Sequence, residues 1–178
     1  MTILGAILAG GQARRFGADK ALAALQGMTL IDRIAATIGP QVDAVVIVGR
    51  DPGIADRPAG IGPLGGIAAA LHDARSRGFG SVVTVPCDTP MLPADLVATI
   101  TRPDQATFVA GLPVIGGWPA SLADGIDGYI AATTDWSIRA WARHVGAVPI
   151  VLDAAIANIN TRADLAALAA TVSGSSCS

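Results

Sequence analysis

The chain has 178 residues, 52% of them hydrophobic and 15% charged, and a formal net charge of -2. That length suits one domain with a sizeable core, and the near-neutral balance carries no electrostatic footprint for a polyanion such as DNA. Every apolar run is broken by Gly, Pro or charge well before the roughly 18–20 residues a spanning helix needs. Cys87 and Cys177 are too few for a disulfide framework or a zinc cluster, so a reducing cytoplasm is the expected compartment.

Residues 3–9 form a short apolar run ending at Gly10-Gly11, which reads as a buried strand opening into a loop. No basic stretch precedes it and no small-residue cleavage site follows, unlike a secretory signal. After a Gly- and charge-rich stretch to Lys20, Leu30, Ile31, Ile34 and Ile38 fall at helical spacing and stop at Gly39-Pro40. Residues 44–48 are β-branched and close at Gly49, a second strand. A loop rich in Gly and Pro leads into a helix over 64–77, with arginines in its last turn and Gly78 beyond. Residues 81–85 are a third strand, halted by Pro86.

Pro93 and Asp95 are expected to open a helix running to about Ile100, with Asp95 in the capping place. A strand over 107–110, a helix over 137–144 and a strand over 147–152 follow, the last confined to an edge or end by Pro149. Thr161 caps a final helix to about Leu168, with Asp164 in the capping-box position. Residues 112–134 show no clear period.

Short all-apolar strands alternating with helices predict a three-layer α/β/α domain around a mostly parallel, mixed sheet. Residues 1–170 are expected to form that domain and 171–178 a flexible tail. Right-handed crossovers place the ends of the parallel strands on one edge, where ligands of open α/β sheets bind.

Four segments carry chemistry. In Leu8-Ala9-Gly10-Gly11-Gln12-Ala13-Arg14-Arg15-Phe16-Gly17-Ala18-Asp19-Lys20, two glycines let backbone N–H groups approach an anion. Arg14, Arg15 and Lys20 supply cations suited to a triphosphate. The spacing matches neither G-x-G-x-x-G nor a P-loop, and a plain glycine turn with solvated basic residues is the structural alternative. In Pro86-Cys87-Asp88-Thr89-Pro90, flanking prolines stiffen a loop that presents Asp88 as a Mg2+ ligand, the alternative being a helix cap. Asp56, ahead of Gly60-Ile61-Gly62-Pro63-Leu64-Gly65-Gly66, could accept both the N1–H and N2 amino hydrogens of guanine, or be an ordinary loop carboxylate. Asn158 and Asn160 precede a helix N-terminus, a place for an anion or ligand clamp as well as a cap.

The remaining candidates read as structural. His72 and His144 suit surface or helix-end positions, Cys87 a buried inert thiol, and Trp118, Trp136 and Trp141 core or lid positions.

Taken together, LAGGQARRFGADKAL, GPLGGI, PCDTP and NINTRADL resemble, in order and separation, the molybdenum cofactor guanylyltransferases of the MobA type, over residues 3–165. The resemblance implies a Rossmann-like nucleotidyltransferase fold and transfer of GMP from GTP to the terminal phosphate of a molybdopterin-type cofactor, with Mg2+ and release of pyrophosphate. It implies that Leu8, Ala9, Gly10 and Gly11 meet the nucleotide, that Lys20 and Arg15 meet its phosphates, and that Asp56 binds GTP. Asp88 would hold Mg2+ and GTP, and Asn158 and Asn160 would lie on the acceptor side. Cofactor-delivery proteins or molybdoenzymes are the expected transient protein contacts.

The chain departs from the family pattern in several places. The loop after Asp56 is about a residue shorter, Val48 stands where relatives can carry a nucleotide-contacting Asn, Trp118-Pro119 replaces a His-Pro pair, and residues 112–134 are poor in charge. These departures bear on base preference and the acceptor pocket. A cytidylyltransferase for the same cofactor, a catalytically degenerate nucleotide-binding partner and a sugar-1-phosphate nucleotidylyltransferase are the rival readings. A dinucleotide-binding dehydrogenase is disfavoured by the missing third glycine.

Overall fold

The computed structural model describes residues 1–10, 20–153 and 156–174. The first apolar run is strand β1 (Ile3–Leu8). After a 3-10 turn at Lys20–Leu22, strands β2 (Ala24–Leu25) and β3 (Met28–Thr29) form a small hairpin. Its turn residues Gln26 and Gly27 have φ of 52° and 80°, as a tight primed turn requires. Helix α1 (Leu30–Ile38) starts at Thr29, whose hydroxyl accepts from the Asp32 N–H, and buries Leu30, Ile31, Ile34 and Ile38. Strand β4 (Ala44–Val48) follows. Helix α2 (Pro63–Arg77) begins with proline in its first turn, where a missing N–H costs nothing, and stops at Gly78 with φ 77°.

Strand β5 (Ser81–Pro86) leads to the short helix α3 (Leu96–Ile100). Asp95 stands at its N-cap position, but its side chain makes no capping bond. The capping acceptor comes instead from Gln41, whose Oε1 takes the Val97 N–H at 3.0 Å. Strand β6 (Thr107–Val109), strand β7 (Leu112–Pro119), helix α4 (Ala123–Ala132), helix α5 (Ile138–His144) and strand β8 (Val148–Ile150) complete the sheet and its cover. Helix α6 (Arg162–Gly174) closes the described chain. The Asp164 N–H donates to Thr161 Oγ1, while Asp164 Oδ2 accepts from the Asn160 and Thr161 N–H groups at 2.8 Å, a full capping box. The helix continues past the expected end at Leu168 because nothing in Ala169-Ala170-Thr171-Val172-Ser173 breaks it before Gly174; residues 171–174, assigned to the tail on sequence, are therefore helical.

The strands form one six-stranded sheet in the order β4-β1-β5-β7-β6-β8. β1 pairs in parallel with β4 and β5, β7 runs antiparallel to β5 and β6, and β8 is a parallel edge strand, where Pro149 is tolerated. Strand alternation distributes the core over two faces. Leu4, Ala6 and Leu8 of β1 and Val82 of β5 face α2, α4 and α5, while Ile7, Val83 and Val85 face α1 and α3. The result is the expected three-layer α/β/α domain with a mixed, mostly parallel sheet.

The stretch without a period contains β7. Its strand signal is hidden by Gly116-Gly117, and the structure explains those glycines. Gly116 lies opposite Thr84, and a Cβ there would stand 2.7 Å from the Trp118 ring. Trp118 is fully buried and donates Nε1–H to Thr84 Oγ1 at 3.0 Å. Trp141 is also core, whereas Trp136 is 42% exposed and outside the core, its indole N–H turned back to the Ile130 carbonyl. Among the described residues no helix is long and apolar enough to cross a membrane.

Candidate active site

The parallel strands β1, β4 and β5 end on one edge of the sheet, and a cavity of 840 Å³ opens there. Its walls come from the end of β1 (Leu8, Gly10), the loop from β4 to α2 (Asp56, Gly60, Gly62), the first turn of α2 (Pro63, Gly66), and the turn after β5 (Pro86, Cys87, Asp88). Leu112 and Val114 of β7 and Asn158 complete it. The size lies within the range of about 300–1,000 Å³ common for small-molecule sites.

Backbone hydrogen bonds explain why separate sequence segments meet here. The Ala9 N–H donates to the Val48 carbonyl at 2.8 Å, tying the end of β1 to β4. The Cys87 N–H donates to the Leu8 carbonyl at 3.0 Å, tying β1 to the turn after β5. The Ile159 N–H donates to the Asp88 carbonyl at 2.8 Å, bringing the Asn158 segment against that turn. Thr89 is fully buried and its hydroxyl donates to the Pro86 carbonyl at 3.1 Å, so the turn is held from within. Asp88 is thus fixed on both flanks, half-buried, with Oδ1 shielded from solvent.

Asp56 occupies the other side of the cavity. Its carboxylate lies against Gly10, Gly49 and Gly66, so closely that a Cβ on Gly10 would come within 2.8 Å of Oδ2. Gly49 has φ 86°, and a Cβ on it would stand 2.4 Å from Gly10 Cα. Only residues without a side chain let the ends of β1 and β4 approach this closely. Burial pushes the Asp56 carboxyl above its ordinary value, as desolvation of a carboxylate does. The next residue, Arg57, anchors the loop: its N–H donates to the Gly65 carbonyl at 2.9 Å, and its guanidinium donates to Asp127 Oδ2 of α4 at 3.0 Å. His72 of α2 meets the other oxygen of Asp127 at 3.1 Å. That histidine is a structural partner at the outer face, remote from the cavity lining.

The residues singled out on sequence are distributed as follows. Leu8, Gly10, Asp56, Asp88 and Asn158 all line the one cavity. Ala9 is half-buried beside it, its N–H committed to β4. Asn160 does not line it; it is exposed, and its N–H serves the α6 capping box. Gly11, Arg14 and Arg15 lie outside the described residues, and Lys20 is placed by its backbone, which opens the 3-10 turn. The next residue, Ala21, packs in the same apolar cluster as Ile7 and Val85.

Two of the sequence departures acquire a different meaning. Val48 is fully buried in the same apolar cluster as Leu8, Leu64 and Ile67 and does not line the cavity. Trp118-Pro119 pairs with Val82 and Ser81 at the start of β5, the edge opposite the cavity. Because β7 runs antiparallel, it is Leu112 and Val114, at its beginning, that reach the site. Sequence reading missed both, since no period marked the strand.

Asp56 and Asp88 are the only charged side chains among the described residues that line the cavity. No group of three or more His, Cys, Asp or Glu is gathered anywhere among the described residues. Such a donor set suits a hard cation that takes one or two carboxylates and completes its shell with phosphate oxygens and water. It does not suit a metal held by protein alone.

Residues 5–145 match the MobA-like NTP transferase domain family. Among similar proteins, a molybdenum cofactor guanylyltransferase of Rhodobacter capsulatus is 38% identical, with 93% of this chain and 94% of the relative covered. One from Acidiphilium cryptum is 33% identical over 89% and 90% of the two chains. Among solved structures, molybdopterin-guanine dinucleotide biosynthesis protein A of Archaeoglobus fulgidus superposes with a TM-score of 0.71 at 24% identity, covering 96% of this chain and 99% of the other. The 2-C-methyl-D-erythritol 4-phosphate cytidylyltransferase of Thermus thermophilus gives 0.69 at 13% identity, covering 97% and 98%. At those identities the structural likeness shows the fold.

Proposed function

The chain belongs to the MobA-like NTP transferase family and is a nucleotidyltransferase; we propose that it transfers GMP from GTP to the terminal phosphate of a molybdopterin-type cofactor, releasing pyrophosphate. The observation that carries this reading is one cavity that holds Asp56 on one wall and Asp88 with Asn158 on another. A planar carboxylate such as Asp56 accepts both guanine donors at once, and cytosine offers no such pair. The relatives named as guanylyltransferases support the same choice of base.

In the reaction, an oxygen of the acceptor phosphate attacks the α-phosphorus of GTP. The new P–O bond forms as the bond to the β-phosphate bridging oxygen breaks, and pyrophosphate leaves with that electron pair. The attacking oxygen is already anionic, so no strong general base is needed, and rate comes from alignment and charge neutralisation. Backbone at Leu8, Ala9, Gly10 and Gly11 approaches the nucleotide, Arg15 and Lys20 neutralise charge on the departing pyrophosphate, and Asn158 orients the acceptor, while Asn160, which does not line the cavity, is left to the α6 cap. Asp88 would hold Mg2+, which when bound screens the phosphates from the two cavity carboxylates and from the incoming phosphate. The cytoplasm is the proposed setting, with transient contact to proteins that deliver the cofactor or receive the product.

The test is pyrophosphate release from GTP, CTP or ATP mixed with the acceptor, with and without Mg2+. Release with GTP and Mg2+, at least tenfold above CTP, is expected. Preference for CTP would reassign the base, and no release with any nucleotide would leave a degenerate binding protein.

A further inference from the structure

Asp56 and Arg57 are consecutive, yet they serve opposite sides of one loop. Asp56 lines the cavity, while the half-exposed Arg57 guanidinium donates to Asp127 Oδ2 of α4 at 3.0 Å. The other oxygen, Oδ1, meets His72 Nε2 of α2 at 3.1 Å, so the carboxylate cannot turn without giving up a partner. Partial burial raises the Asp127 carboxyl, but hydrogen bonds from His72 and Arg57 outweigh it and hold the group below its ordinary value. Its backbone is anchored, because the preceding Ile126 is fully buried in the core.

The loop backbone is tied down unevenly around Asp56. Upstream, the Gly49 N–H donates to the Ile54 carbonyl and the Ile54 N–H to the Ile47 carbonyl. Downstream, the Arg57 N–H donates to the Gly65 carbonyl at 2.9 Å, and a Cβ on Gly65 would overlap the Pro58 carbonyl. Beyond lie the exposed Pro58, Ala59 and Gly60, with Gly60 and Gly62 at φ of 87° and 72°, a stretch of wide backbone freedom. Arg57 is where a side chain fastens the loop to the helices before that turn.

We propose that Arg57, held by Asp127 and His72, is a positioning residue that sets the reach of the Asp56 carboxylate toward the base, a role that rests on the reading of Asp56 as the guanine contact. Two parallel hydrogen bonds demand alignment in distance and angle, so a small slide of the loop weakens both. An exposed ion pair contributes about fivefold at most to an equilibrium constant, which bounds the effect. Arg75 of α2 provides the comparison. It donates to Asp124 Oδ2 of α4 at 3.3 Å, joining the same two helices one turn along, and it is not part of the loop.

The test measures GTP binding with Mg2+ by calorimetry and kcat by pyrophosphate release. Arg57→Ala and Asp127→Ala are each expected to raise the Kd for GTP about threefold to fivefold, with kcat unchanged because the base contact is the same in ground and transition states. Arg75→Ala should stay within about 1.5-fold of the native chain, as should Arg57→Lys if charge alone fastens the loop. On an Asp56→Asn background, itself at least about tenfold weaker for GTP, Arg57→Ala should add less than about 1.5-fold, since the two act through one contact. Native binding in Arg57→Ala or Asp127→Ala, an equal loss in Arg75→Ala, or the same added loss on the Asp56→Asn background overturns the positioning role and leaves the guanine contact standing. If Asp56→Asn binds GTP as the native chain does, or neither binds it, the guanine contact fails and the positioning role falls with it.

Discussion

The contact between Gly10 and Gly49 makes a demanding prediction for Gly49→Ala. The alanine would have to hold φ at 86°, and its Cβ would lie 2.4 Å from Gly10 Cα, 2.6 Å from Gly10 N and 3.0 Å from Asp56 Oδ1. Left-handed backbone costs a non-glycine residue about 1–2 kcal/mol, and overpacking adds about 1–3 kcal/mol. The backbone cannot swing away freely, because the Gly49 N–H is bonded to the Ile54 carbonyl at 2.7 Å and the Ala9 N–H to Val48. The expected loss is therefore about 2–5 kcal/mol of the roughly 5–15 kcal/mol that holds a domain together. Urea denaturation reads it as a lower midpoint at unchanged slope. Any relief comes from pushing Gly10 and Asp56 apart, so the KM for GTP should rise as well. Gly111→Ala, whose Cβ meets nothing within 4 Å, is the control and should stay within about 0.5 kcal/mol of the native chain. A native midpoint together with a native GTP KM for Gly49→Ala would refute the close-approach argument.

Four further outcomes are expected. Asp56→Asn keeps the shape but can no longer accept two guanine donors as an anion; charge-assisted hydrogen bonds of about 1.5–3 kcal/mol predict a roughly 10–100-fold rise in GTP KM, measured by initial rates. Because burial raises the Asp56 pKa, its ionisation opposes folding. Asp56→Asn should therefore melt higher than the native chain at neutral pH, and the gain should vanish below the ordinary carboxylate value of 3.8; a lower melting point at neutral pH would contradict it. Lys20→Ala should slow turnover about 100-fold if the ammonium meets the transition state, and near-native single-turnover rates would remove Lys20 from the mechanism. In Thr84→Val, the buried Trp118 Nε1–H and the Val114 carbonyl lose the hydroxyl they share at 3.0 and 2.8 Å. A loss of about 2–4 kcal/mol in chemical denaturation is expected, and a loss under about 0.5 kcal/mol would show that water replaces the hydroxyl.

Local chemistry made much of the fold legible. β1, β4 and β5 announce themselves as short apolar runs bounded by Gly or Pro, and α1 and α2 by helical spacing with Thr29, Pro63 and Gly78 at their ends. Asp88 and Asp56 were visible as carboxylates in stiff or glycine-rich segments that follow strands, and Asn158 as an amide just ahead of a helix N-terminus. Other assignments depended on distant partners. The α3 helix takes its capping acceptor from Gln41 rather than from Asp95. β7 is a strand in spite of Gly116 and Gly117, because Trp118 packs across the first and the second lies under the Ile100 carbonyl.

The amino-acid order alone determined the alternation of strands and helices, the stiff turn that carries Asp88 and the capping box at Thr161, since each rests on residues only a few positions apart. Tertiary structure decided which end of β7 meets the ligand edge, that Val48 is buried in the core and does not line the cavity, and that Asn158 reaches the wall while Asn160 does not. Those outcomes depend on strand direction and on hydrogen bonds such as Ile159 to Asp88, made between segments some seventy positions apart. No local pattern encodes such a pairing; it exists only once burial of the whole sheet has brought its partners together.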